Sequence, residues 1–86
     1  MAQRASASGK KRYGAEAVAF GRVIAAARAK SGISQEELAF RSETNRTYVS
    51  ELERGVKEPC LRMILKIAKA LATTSSALLQ DIEDSL

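Results

Sequence analysis

Between Gly32 and Gly55 the chain is punctuated so tightly that only very short helices fit. Ser34 stands immediately before Gln35, Glu36 and Glu37. A serine followed three residues later by glutamate is a capping box, in which the hydroxyl caps the Glu37 amide and the Glu37 carboxylate reaches back. Glu36 and Glu37 also suit the positive end of a helix dipole. Leu38 and Ala39 give this helix an inward face, and the polar run from Ser42 to Asn45 ends it after about two turns. Asn45 is a strong N-cap for a further helix that runs to about Arg54, where Gly55 supplies the stop.

Two short helices joined by three or four residues, the second closed by a glycine, have the spacing of a helix-turn-helix. The flanks are helical as well. Phe20, Val23, Ile24 and Ala27 recur at helical spacing before Gly32, which gives a first helix from about Glu16 to Lys30 or Ser31. Beyond the loop Val56 to Pro59, the residues Leu61, Ile64, Leu65, Ala68 and Leu71 repeat at the three-four rhythm of a fourth helix. Thr73 to Ser76 break that rhythm and can cap a fifth helix, with Leu78, Leu79, Ile82 and Leu86 sharing one side. The expected fold is all-α, five helices without strands, in residues 15–86. Residues 1–14 have no apolar period and read as a flexible basic arm.

Composition narrows the function. The chain has 86 residues, a length that supports one small core. It has no histidine and a single cysteine, Cys60. An internal disulfide, a metal site and a Ser-His or Cys-His nucleophile pair are therefore not expected, and neither catalysis nor a cofactor is anticipated. No apolar run is long enough to span a membrane and no secretory stretch opens the chain, which suggests a cytoplasmic protein with no membrane partner. The net charge of +4 is carried by Arg4, Lys10, Lys11 and Arg12, because the other ten basic residues balance ten acidic ones. Such a basic segment fits a nucleic-acid partner, and it fits a solvated tail equally well.

The third helix carries the chemistry. At 100° per residue, Arg46, Thr47, Ser50, Glu51 and Arg54 project within an arc of roughly 140°. Tyr48, Val49 and Leu52 fall on the other side and can anchor the helix on the core. The outward residue types suit a DNA major groove: arginine bonds guanine O6 and N7, threonine meets a thymine methyl, and glutamate accepts from cytosine N4. An ordinary surface helix would show similar residues, so composition alone leaves both readings open.

The run Ser34-Gln-Glu-Glu-Leu-Ala-Phe-Arg-Ser-Glu-Thr-Asn-Arg-Thr-Tyr-Val-Ser-Glu-Leu-Glu-Arg-Gly55 closely resembles the phage repressor and Cro (XRE-type) helix-turn-helix regulators. The resemblance extends from about Phe20 to Leu79 and includes the Lys-Glu-Pro loop and the helix after it. Within that family, Asn45-Arg-Thr-Tyr-Val-Ser is most similar to the recognition helix of restriction-modification controller proteins. The resemblance implies a compact, lambda-repressor-like domain that binds a double-stranded DNA operator as a homodimer. It implies base reading by Arg46, Thr47, Ser50 and Glu51, and phosphate contacts by Gln35, Asn45, Tyr48, Arg54 and Lys57. It implies an ion pair between Arg28 and Glu53 that fixes the reading helix to helix 1. It assigns Leu78, Leu79 and Ile82 to a two-fold contact, a role they can share with closing the core. Two departures stand out: the family often has glycine where this chain has Glu43, and serine or threonine where it has Cys60.

Two rival functions follow from the same residues. One is an antitoxin-like module that masks another protein and binds DNA as well. The other is a non-specific packer of nucleic acid acting through the basic arm. Glu36 and Glu37 can meet RNA polymerase or simply stabilise their helix. For the arm, the expectation is a contribution to DNA affinity through counterion release rather than base reading.

Overall fold

The computed structural model describes residues 14–86, so the arm expected over residues 1–14 lies outside the described residues except for Gly14. Five helices follow: α1 (Ala15–Ser31), α2 (Gln35–Arg41), α3 (Arg46–Glu53), α4 (Leu61–Ala70) and α5 (Ser75–Ser85), with no strand among the described residues. The helix α1 packs on α3 and α5, α2 packs on α3 and α4, and α4 packs on α5. Ile24, Leu38, Val49, Leu52 and Ile67 are completely buried, so every helix from α1 to α4 places at least one side chain at the centre. Leu78 and Ile82 seat α5 against them.

The starts of α2, α3 and α5 are set by side-chain caps. The Ser34 hydroxyl accepts from the Glu37 amide at 3.0 Å, the Asn45 carbonyl oxygen from the Tyr48 amide at 2.8 Å, and the Thr74 hydroxyl from the Ala77 amide at 3.1 Å. Each satisfies one of the amides a helix leaves without a partner in its first turn. The capping box is only half formed. The Glu37 carboxylate turns forward to accept from Arg41 Nε at 2.7 Å instead of reaching back, because an (i, i+4) cation gives it a charged partner. At α4 the cap position is held by Cys60, which makes no side-chain cap.

Helix ends are set by the backbone. After α1, α2, α3 and α4 the chain turns through a left-handed residue, respectively Gly32, Glu43, Gly55 and Ala72, with φ between 58° and 75°. At each turn one amide bonds the carbonyl three residues back and the next amide bonds the carbonyl five residues back, for example Ala72 N to Lys69 O and Thr73 N to Ala68 O. That pair of bonds is the Schellman motif. Glycine takes this conformation without penalty, whereas Glu43 and Ala72 bear the cost of a Cβ there.

The periodic stripe read for α4 is turned. Leu61 and Leu65 are 72% and 53% exposed, while Ile67, outside that stripe, is completely buried. Apolar side chains surround most of this helix, so the three-four rhythm alone does not say which side meets the core. The approach of α1 to α3 is closer than apolar patterning implies. A Cβ on Gly21 would collide with the Leu52 carbonyl oxygen and come within 2.6 Å of the Glu53 carbonyl oxygen, so the two helices touch backbone to backbone.

Candidate nucleic-acid interface

The helix α3 stands on one network. Arg28 of α1 donates from Nε to Glu53 Oε2 at 2.6 Å and from Nη2 to Glu53 Oε1 at 3.0 Å, a two-pronged pair that matches the planar guanidinium to the carboxylate. Its Nη1 donates to the Ile33 carbonyl oxygen at 3.0 Å, which also ties down the chain entering α2. Gln35 Nε2 donates to Glu53 Oε1 at 2.9 Å. The Glu53 side chain is 8% exposed and that of Arg28 21%. Hydrogen bonding to Glu53 raises the Arg28 pKa above its already high ordinary value, so the guanidinium stays protonated. The ion pair expected between Arg28 and Glu53 is therefore present, and it joins α1, α2 and α3 at the end of α3.

Val49 and Leu52 lie at zero exposure, and Tyr48 packs against the core at its edge. The other side of α3 faces out: Arg46 and Thr47 are exposed, while Ser50 and Glu51 are half-buried. The four side chains expected to read bases therefore lie on one face of a helix whose inner face is fully engaged. Of the residues expected to meet phosphate, Asn45 caps α3, and Arg54 lies at the far end, with Nε 3.4 Å from the Ser50 hydroxyl. Lys57 Nζ lies 3.4 Å from Glu51 Oε1 and 5.8 Å from the centre of the Tyr48 ring. Burial pushes the Tyr48 phenol pKa up, with Cys60 and Glu51 adding in the same direction, so the group remains a hydrogen-bond donor. Gln35 is shared: one hydrogen of its side-chain amide goes to Glu53, and the second is available to an anion at the start of α2.

The α5 residues divide between two roles. Leu78 is 2% and Ile82 7% exposed, so both serve the protomer's own core, while Leu79 remains 44% exposed. The Glu43 turn is supported by Lys66, whose ammonium lies 2.7 Å from Glu43 Oε1 and lowers the Glu43 pKa below the usual carboxylate value. Sequence reading missed this pair, because nothing in local spacing relates residues 23 positions apart on α4 and the turn. No described helix is long and apolar enough to cross a membrane.

Residues 24–78 match the family model described as helix-turn-helix. The chain is 48% identical over 50 residues to the control protein C.BamHI of Bacillus amyloliquefaciens, a match that covers 58% of this chain and 62% of that relative. Among solved structures, the restriction-modification controller protein C.AhdI from Aeromonas hydrophila superposes with a TM-score of 0.72 at 42% identity, covering 74% of this chain and 93% of that one. The restriction-modification controller C.Esp1396I, solved as a tetramer in complex with its natural 35 base-pair operator, superposes with a TM-score of 0.75 at 26% identity over 81% of this chain and 92% of that one. Five helices with a buttressed α2–α3 pair, and a family match over more than half of the chain, lead to one statement: the chain belongs to the XRE-type helix-turn-helix family.

Proposed function

We propose that this protein is a dimeric transcription regulator of the restriction-modification controller type, reading a palindromic DNA operator with α3 in the major groove. The observation that carries this reading is the division of α3: Val49 and Leu52 completely buried, Arg46 and Thr47 exposed beside the capped helix start, and the whole helix clamped through Glu53. A helix held so firmly presents its outward side chains in fixed register, as bidentate base recognition requires. The likeness to a controller solved on its operator supports the same reading.

In this reading Arg46, Thr47, Ser50 and Glu51 meet base edges, and Gln35, Asn45, Tyr48, Arg54 and Lys57 meet phosphates. Lys57 leaves Glu51 for the DNA backbone, which frees the Glu51 carboxylate for a cytosine amino group. Two such heads placed one DNA turn apart require a two-fold dimer. Exposed Leu79 is the centre of that contact, with Leu78 and Ile82 forming its base. Contact with RNA polymerase falls to Glu36 and the 78% exposed Phe40, which share a side of α2, because Glu37 is held by Arg41.

Selection of bound duplexes from a random pool, followed by binding to single-base variants of the winner at one salt concentration, tests the docking. Arg46→Ala loses on the order of 1 to 3 kcal/mol at the preferred site and relaxes the choice of one base pair per half-site. Gln35→Ala weakens all sites by similar factors and leaves their order intact. The reverse pattern would overturn the assignment of α3 as the reading helix.

A further inference from the structure

The Arg28–Glu53 network holds α3 at its last residue, whereas Arg46 and Thr47 stand at its start. Eight helical residues span about 12 Å, so a tilt of about 5° about the Glu53 clamp moves the start of α3 by roughly 1 Å, about twice the tolerance of a well-positioned functional side chain. Val49 and Leu52 seat the helix on the core, and Arg46 and Thr47 lie ahead of both. What fixes the start of the helix is therefore the turn before it.

Only Thr44 and Asn45 separate Glu43 from Arg46. The Glu43 amide bonds the Phe40 carbonyl oxygen and the Thr44 amide that of Ala39, with Glu43 itself left-handed at a φ of 60°. Glycine would take that conformation without the steric penalty a glutamate meets. The glutamate side chain, however, reaches Lys66 of α4 at 2.7 Å. Among the described residues this is the one side-chain hydrogen bond or ion pair that joins α4 to the α2–α3 unit. Lys66 stands immediately before Ile67 and Ala68, both buried in the core, so its stem rises from a fixed part of α4. We propose that Lys66 is a positioning residue for base reading: through Glu43 it fixes the α2–α3 turn against α4, and with it the register of Arg46 and Thr47 on DNA.

The inference rests on α3 as the reading helix. It accounts for a glutamate where a glycine would suit the backbone better, since only a side chain can give α3 a second mount opposite the Glu53 clamp. Glu43 is exposed, so the pair adds little to folding, and its effect falls on register. Lys69 lines the same surface groove as Arg41, Glu43 and Lys66 but forms no ion pair with a described residue. Lys69→Met therefore removes an equal charge while the Lys66–Glu43 pair stays intact.

The full chain carrying Lys66→Met, Glu43→Gly, Lys66→Arg or Lys69→Met is measured against the panel of single-base operator variants, with Arg46→Ala alongside. Lys66→Met and Glu43→Gly both lower discrimination at the base pair that Arg46→Ala relaxes, by about two- to fivefold, the range that an exposed charge pair supports. Lys66→Arg restores most of it, and Lys69→Met leaves it unchanged. Urea midpoints separate positioning from folding. Glu43→Gly, freed of its left-handed side chain, unfolds at or above the wild-type midpoint and Lys66→Met slightly below, yet discrimination falls in both. Unchanged discrimination in Lys66→Met, while Arg46→Ala relaxes its base pair, overturns the proposal and leaves α3 as the reading helix. No relaxation in Arg46→Ala overturns that reading and the inference with it. Uniform weakening of all sites by Lys66→Met with a shallower salt slope makes Lys66 a phosphate contact, and an equal loss in Lys69→Met makes the effect one of general charge; either result overturns the proposal.

Discussion

At the scale of the residue, Arg28 and Gly21 govern how α3 is held. Arg28→Ala leaves the nearly buried Glu53 carboxylate without its cation and the Ile33 carbonyl without its donor. The expected loss is about 3 kcal/mol, the lower end for breaking a buried pair, because Arg28 retains some contact with water. Lys30→Ala, at an exposed position, changes stability by less than about 0.5 kcal/mol. Urea midpoints of the two variants, measured side by side, check the contrast, and equal midpoints would contradict it. Gly21→Ala is a second case in which helix propensity points the wrong way. Alanine in a helix interior gains roughly 0.5 to 1 kcal/mol over glycine. Its Cβ, however, would meet the carbonyl oxygens of Leu52 and Glu53, and backbone yields far less readily than a flexible side chain. Thermal unfolding of Gly21→Ala therefore falls below wild type. Arg28 was legible through resemblance to a family pair, whereas Gly21 was not, because a glycine inside a helical pattern carries no mark of the helix that crosses it.

At the scale of the element, the helix starts were easier to read than the ends. Ser34, Asn45 and Thr74 cap through side chains, which leave a chemical signature in the sequence. The ends depend on backbone conformation. Gly32 and Gly55 announce it, while Glu43 and Ala72 adopt the same left-handed turn without announcing it. Resemblance to relatives with glycine in the turn flagged Glu43, and nothing flagged Ala72. Ala72→Gly should stabilise the protein by roughly 1 kcal/mol, since the strain of a left-handed L-residue is about 1 to 2 kcal/mol and the looser unfolded chain offsets part of the gain. A rise in the chemical-denaturation midpoint checks this, and an unchanged or lower midpoint would show that the turn bears no strain. For α4, alternation of apolar residues placed the helix correctly but left its rotation open. The exposed Leu61 and Leu65 and the buried Ile67 were decided by contact with α2 and α5, which no local pattern records.

At the scale of the whole molecule, charge is divided between a basic segment ahead of Gly14 and a remainder that is formally neutral. Deleting residues 1–13 is expected to lower affinity for the selected operator and flatten its dependence on salt, with the order of preferred sequences unchanged. Four free cations would change the logarithmic salt slope by about 3.6. Titrating operator binding against salt for the full and shortened chains measures the difference, and a new sequence preference would instead identify the segment as a reader of the minor groove. The charge division was visible in the sequence. The placing of Glu16, Glu58 and Glu83 around one surface groove was not, because they come together only when α1, the loop before α4 and α5 pack.

The two-sided construction of α3 has a consequence for how such a protein acquires new targets. Its inner side and its clamp through Glu53 carry the packing, whereas exposed Arg46 and Thr47 make no side-chain hydrogen bond or ion pair within the described chain. Exchanges at those two positions are therefore close to neutral for folding, and a library varied there samples many operators from one stable scaffold. Glu51 and Ser50, tied to Lys57 and Arg54, are the positions where vocabulary and architecture begin to overlap. Retargeting would proceed from the helix start inward, one base pair at a time, with the cost to the scaffold rising at each step.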